Sequence, residues 1–125
     1  GYPLLKEPWK VNMIAVAAIR DPQTEVINNE TRICADFIPG TKNKIRTIFR
    51  IAAANQQNYL VLSAFGCGAF HNPPRHMAEL FMEILSEPEF HRAFREICFA
   101  IKPDHNSNGD SNYEAFLDVF SMKHV

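Results

Sequence analysis

Glycine is scarce in this chain: five in 125 residues, at positions 1, 40, 66, 68 and 109, no two of them adjacent. A loop built from a run of glycines is therefore excluded. Cysteine is scarce too, and Cys34, Cys67 and Cys98 are odd in number and far apart. That spacing does not make a disulfide framework and favours a reducing, intracellular setting. Neither Cys-x-x-Cys nor His-x-x-x-His occurs, so no metal site and no bound cofactor are expected. Charge of one sign is lacking. The net charge of −1 at pH 7 gives no footprint for duplex nucleic acid or an anionic membrane. No apolar run reaches membrane-spanning length and no signal peptide is visible. An initiating Met is missing, and Gly1-Tyr2-Pro3 reads as a processed or truncated terminus.

What remains is ordinary for a globular protein, with 46% hydrophobic and 22% charged residues. The length allows one domain or part of one. The first ten residues are rich in proline and read as extended, with Trp9 as an anchor. Asn12 to Ala18 reads as a buried strand, and Arg20 to about Thr31 as a polar loop. Residues 32–39 are ambiguous. Gly40 and Thr41 open a helix whose apolar positions Ile45, Ile48, Phe49 and Ala52 share one face; it should end near Gln57-Asn58. Tyr59 to Ala64 is a continuous apolar strand, suited to a parallel sheet covered on both faces. A helix follows from about Pro74, with Met77, Leu80, Phe81, Ile84 and Leu85 on one side. Ser86-Glu87-Pro88-Glu89 fits a capping box and predicts a short helix carrying Phe90 and Phe94. Residues 97–101 form another buried strand, 103–112 a polar loop, and the last helix puts Tyr113, Phe116, Leu117 and Phe120 together. The alternation implies an α/β fold with a mostly parallel sheet and right-handed crossovers.

In such folds ligands sit beyond the carboxyl ends of the strands. Three loops fall there: Ile19–Gln23, Phe65–Asn72 and Lys102–Asn112. The second carries the strongest signal. Gly66 and Gly68 permit positive φ and a close backbone approach to a ligand. Asn72 can cap the following helix, and Pro73 and Pro74 suit its first turn, where N–H groups are not needed. Backbone N–H groups and a helix N-terminus converging on one spot favour an anion, above all a phosphate.

The run from Leu60 to Pro74, Leu-Val-Leu-Ser-Ala-Phe-Gly-Cys-Gly-Ala-Phe-His-Asn-Pro-Pro, resembles the signature of microbial-type poly(ADP-ribose) glycohydrolases, a branch of the macrodomain fold. Residues 11–18, 44–52, 77–81, 99–101, Asn112 and Phe116 extend the likeness. It spans most of this chain but only about the C-terminal half of a family member. The resemblance implies an incomplete, C-terminal portion of a macrodomain-like, mostly parallel sheet with flanking helices, occupying residues 1–125. It also implies a diphosphate site for ADP-ribose or poly(ADP-ribose) at Gly66, Cys67, Gly68, Ala69, Phe70, His71 and Asn72, with Phe70 near the distal ribose. Asp21, beside an adenine amino group, and Asn106 and Asn112 in the third loop are further candidate contacts.

The family's catalytic loop, a triple glycine followed by Gln-Glu-Glu, has no counterpart here; Gln23-Thr24-Glu25 does not match it. Glycosidic cleavage needs a carboxylic acid beside the scissile bond, so no catalytic residue is assigned to this chain. Three parallel strands with few helices also cover a sheet poorly. Missing strands are therefore expected from an absent N-terminal half, a second chain or a swapped copy. Two other readings stay open: an ADP-ribose reader without turnover, and a thiol hydrolase with Cys67 as nucleophile and His71 as base. Against the latter, Gly-Cys-Gly departs from the Gly-x-nucleophile-x-Gly spacing of hydrolase elbows. For the remaining candidates the bland readings are a tight unliganded turn at 66–72, a turn-forming Asp21 before Pro22, a solvated loop at 104–112, and a wet helix face for Lys42, Lys44, Arg46 and Arg50.

Overall fold

The computed structural model of the protein describes residues 2–103 and 111–121. In chain order these form strands β1 (Thr24–Ile27) and β2 (Glu30–Ile33), a 3₁₀ turn (Ala35–Phe37), helix α1 (Ile38–Ala54), strand β3 (Tyr59–Leu62), helix α2 (Pro74–Leu85), strand β4 (Glu96–Phe99) and helix α3 (Asn112–Ser121). β3 and β4 pair in parallel, with Leu60 opposite Ile97 and Leu62 opposite Phe99. β1 and β2 form a separate antiparallel hairpin.

The helices form where the apolar spacing predicts. Ile45, Ile48, Phe49 and Ala52 of α1 are buried, as are Met77, Ala78, Leu80, Phe81 and Ile84 of α2. Phe81 is the centre of the core. Its ring meets Phe49 edge-on at 6.0 Å, Phe65 at 6.1 Å and Phe99 at 5.5 Å, a geometry that sets positive ring edges against negative faces. All three helices thus lie on the sheet face made by Leu60, Leu62, Ile97 and Phe99. The opposite face is bare: Val61 is 75% exposed, and Tyr59 and Cys98 face solvent with it. The continuous apolar run of β3 is therefore covered on one side, not the expected two.

Several local expectations are corrected. Residues 12–18 form no strand and pair with none among the described residues. Trp9 is 82% exposed and anchors nothing here. The supposed polar loop contains the β1–β2 hairpin, turned by Asn28 and Asn29 with φ of 52° and 65°, the left-handed pair of a two-residue hairpin turn. α1 ends at Ala54, before Gln57, because Gln56 enters the left-handed region (φ 59°) and Gln57 N–H closes back on the Ala52 carbonyl. No helix follows Ser86. Its hydroxyl turns back to the Met82 carbonyl, and Glu89 pairs with Arg50 instead of capping, so residues 86–93 form successive turns. These turns still bury Phe90. In α3 the buried face is Ala115, Phe116 and Val119, while Tyr113 and Leu117 are exposed.

Three of the four basic residues of α1, all but Lys44, pair with acidic partners. Lys42 pairs with Glu83 at 2.6 Å, Arg46 with Glu87 at 2.7 Å and Arg50 with Glu89 at 2.8 Å. The stripe is a ladder joining α1 to α2 and the turns after it.

Candidate functional site

The chain leaves β3, crosses residues 63–73 and enters α2. Gly66 makes this turn possible. Its φ is +71°, and a Cβ there would stand 2.5 Å from the Ala18 methyl and 2.6 Å from Asn72 Nδ2. No side chain fits that position. Gly68 differs: its φ is not left-handed, and a Cβ would meet nothing within 4 Å. The sequence expectation gave both glycines the same role. Gly66 is instead a packing requirement, whereas Gly68 keeps an open surface bare.

Asn72 does not cap α2. Pro73 holds the N-cap position with no side-chain bond, and Pro74 opens the helix. The Asn72 side chain is buried, only 2% exposed, and its Nδ2 donates to the carbonyls of Ile19 (2.9 Å) and Gly66 (3.0 Å). It therefore ties the turn to the irregular segment that runs up to Ile19. A second tie lies beside it, where Asp21 N–H donates to the Phe70 carbonyl at 2.8 Å and Asp21 Oδ1 meets His71 Nδ1 at 2.5 Å. Both residues of that clasp hold left-handed backbone, φ 47° at Asp21 and 57° at His71. Such conformations persist only where surrounding contacts enforce them. The first and second loops are thus brought together at one sheet edge.

The turn uses some of its N–H groups internally. Cys67 N–H donates to the Ala64 carbonyl, His71 N–H to Gly68 and Asn72 N–H to Gly66, each at 3.0 Å. The N–H groups of Gly68, Ala69 and Phe70 have no partner among the described residues. Three consecutive unpartnered amides in an exposed turn are donors of the kind an anion can take. Phe70 is half-buried beside them, with the Arg20 guanidinium 5.9 Å from its ring centroid. Arg20 and Ile19 fall in the first of the three loops expected at the ligand edge, but nothing in the sequence assigns either a role of its own.

The third loop contributes less. Asn106 lies outside the described residues. Asn112 opens α3 and its Nδ2 approaches the Cys67 carbonyl at 3.5 Å, which brings α3's start to the turn. The ionisable groups are quiet chemically. Burial pushes the Cys67 thiol up to about 12, and its Sγ faces the Phe65 carbonyl at 3.5 Å. The hydrogen bond from His71 holds the Asp21 carboxyl below its ordinary range. No group of three or more metal-ligating side chains occurs among the described residues, and no described helix is long and apolar enough to cross a membrane.

No protein-family model and no curated protein matches the chain. Solved structures do. A crystal structure of poly(ADP-ribose) glycohydrolase from Deinococcus radiodurans in complex with ADP-ribose is 30% identical with a TM-score of 0.63, over 72% of this chain and 35% of that one. A second ADP-ribose complex of the same enzyme is 31% identical, TM-score 0.63, over 70% of this chain and 34% of that one. Its apo form is 31% identical, TM-score 0.57, over 70% and 33%. The chain therefore resembles a part of that α/β enzyme and spans about a third of the length of the structures it matches.

Proposed function

We propose that this chain is the diphosphate-binding portion of a macrodomain-like, poly(ADP-ribose) glycohydrolase-like protein, and that alone it recognises ADP-ribose without cleaving it. The carrying observation is the row of unpartnered N–H groups from Gly68 to Phe70, at the carboxyl end of β3 and ahead of α2. Gly68 leaves that surface clear of side chains. The diphosphate is the natural occupant because its oxygens accept several backbone hydrogen bonds at once. The likeness to ADP-ribose-bound structures supports the same choice. Phe70 and Arg20 then flank the ligand. The aromatic face covers a ribose, and the guanidinium adds positive charge near the phosphates.

Hydrolysis of the ribose–ribose bond belongs to a more complete assembly. Cleavage needs a protonated carboxylic acid at the bond. The sequence has no triple glycine and no Gln-Glu-Glu. Asp21, at the same edge, is held as a carboxylate by His71 and is poorly suited to donate a proton. The alternative of a Cys67 thiol hydrolase is disfavoured for the same kind of reason. A thiol pushed up to about 12 is protonated near neutral pH and is not a nucleophile.

Calorimetric titration with ADP-ribose tests this reading. The chain should bind ADP-ribose and release none from poly(ADP-ribose). Gly68→Val should abolish binding while leaving circular dichroism and melting temperature unchanged, since the added side chain meets only open space. Unchanged affinity in Gly68→Val would remove the turn as the diphosphate site.

A further inference from the structure

The direction of the free amides in the 66–72 turn is set by the carbonyls beside them. A peptide unit is planar and trans, so its C=O and N–H point opposite ways, and no cis bond occurs among the described residues. The Gly68 carbonyl turns inward to accept the His71 N–H at 3.0 Å. The Ala69 N–H, in the same peptide unit, therefore points outward. The Cys67 carbonyl faces Asn112 Nδ2 at 3.5 Å, and the Gly68 N–H points away from that contact for the same reason. Gly68 and Ala69 are both exposed, so these donors face open surface.

His71 thus aims the Ala69 amide, and it does so from left-handed backbone, φ 57°. A residue with a side chain keeps that conformation only under constraint. The constraint comes from Asp21, 50 residues away in sequence. Asp21 N–H donates to the Phe70 carbonyl at 2.8 Å, which fixes the peptide unit that carries the His71 N–H. Asp21 Oδ1 accepts from His71 Nδ1 at 2.5 Å; a carboxylate only accepts, so the proton sits on Nδ1. Asp21 Oδ2 accepts from Arg20 Nε at 3.4 Å, and that guanidinium lies 5.9 Å from the Phe70 ring centroid. Both carboxylate oxygens are engaged within the chain, by residues that border the amide row. Asp21 itself holds a left-handed φ of 47°.

We infer that Asp21 is a positioning residue of the diphosphate site, in place of the adenine contact that the family resemblance implies. By holding Phe70 and His71 it keeps the Gly68 carbonyl turned in and the Ala69 N–H turned out. The inference rests on the ADP-ribose site proposed above.

Calorimetric titration with ADP-ribose in two backgrounds is the test. Asp21→Gly removes the carboxylate and fits φ 47° without strain. Both side chains of the pair are more than half exposed, so the melting temperature should change little. In the otherwise unaltered chain this variant should weaken binding about tenfold, the scale of one strained backbone conformation left unsupported. Asp21→Asn keeps an acceptor and tolerates left-handed backbone, and should recover most of that loss. The second background is His71→Gly. Glycine adopts positive φ unaided, so there Asp21→Gly should weaken binding by less than about twofold. Any added freedom at position 21 is common to both backgrounds and cancels. An equal loss in both would place Asp21 on the ligand and overturn the inference, as would full affinity in Asp21→Gly alone. Those two results leave the diphosphate site standing. An unaltered chain that binds no ADP-ribose removes the site, and the inference with it.

Discussion

At the scale of single residues, the two glycines of the turn separate stability from binding. Gly66→Ala puts a side chain into left-handed backbone, a cost of roughly 1–2 kcal/mol, and into contact with Ala18 and Asn72 at under 3 Å. Overpacking of that kind adds about 1–3 kcal/mol. We expect a clear fall in the denaturation midpoint of Gly66→Ala, measured in urea, where Gly68→Val shows none. His76 makes a second prediction. It is buried at 3% exposure, and its Nδ1 accepts the Ile33 N–H at 2.9 Å. Burial lowers its pKa below the ordinary 6.5. A histidine with a depressed folded value contributes its full stability above about pH 6.5 and loses it as pH falls toward the folded value. Urea unfolding should therefore show stability declining as pH falls below about 6.5. His76→Asn keeps an acceptor at the same reach but cannot protonate, and should flatten that decline.

At the scale of elements, the sequence was most readable where one segment's own chemistry decided its form. The helical faces of α1 and α2 needed only apolar spacing. β3, the turn and the Pro-led start of α2 needed only adjacent residues. Legibility failed where a distant partner decided. Ser86 and Glu89 have the pattern of a capping box, but Glu89, in the turns after α2, pairs with Arg50 of α1. Asn72 looks like a cap, but Ile19, remote in sequence, takes its amide. The Asn28-Asn29 hairpin was a local signal and was missed because the polar stretch around it was read as loop. The ladder between α1 and α2 is best tested at Arg46–Glu87, where both side chains are about a quarter exposed. A double-mutant cycle with alanine at both positions should give a coupling of about 0.2–1 kcal/mol, smaller at high salt. At α3, Ser111 Oγ accepts the Glu114 N–H at 3.1 Å. Ser111→Ala should cost about 1 kcal/mol and loosen the approach of Asn112 to the turn.

At the scale of the whole molecule, a single core centred on Phe49 and Phe81 is capped by helices on one side and left open on the other. The sequence conveyed the α/β character and the incompleteness, since its apolar strands exceed what its helices can cover. It did not reveal that residues 12–18 pair with no strand among the described residues, because strand pairing is decided between segments remote in sequence. What the fragment does hold together is the edge where Asp21, Asn72 and the 66–72 turn meet. That edge is pinned from several directions by side-chain and main-chain bonds.

The most direct measurement is an amide-resolved NMR titration of the isolated chain with ADP-ribose. Saturable shifts concentrated at the N–H groups of Gly68, Ala69 and Phe70, with Cys67, His71 and Asn72 still hydrogen-bonded within the turn, are the predicted result. Binding that leaves those three amides unmoved, or no binding at millimolar ligand, would contradict the account.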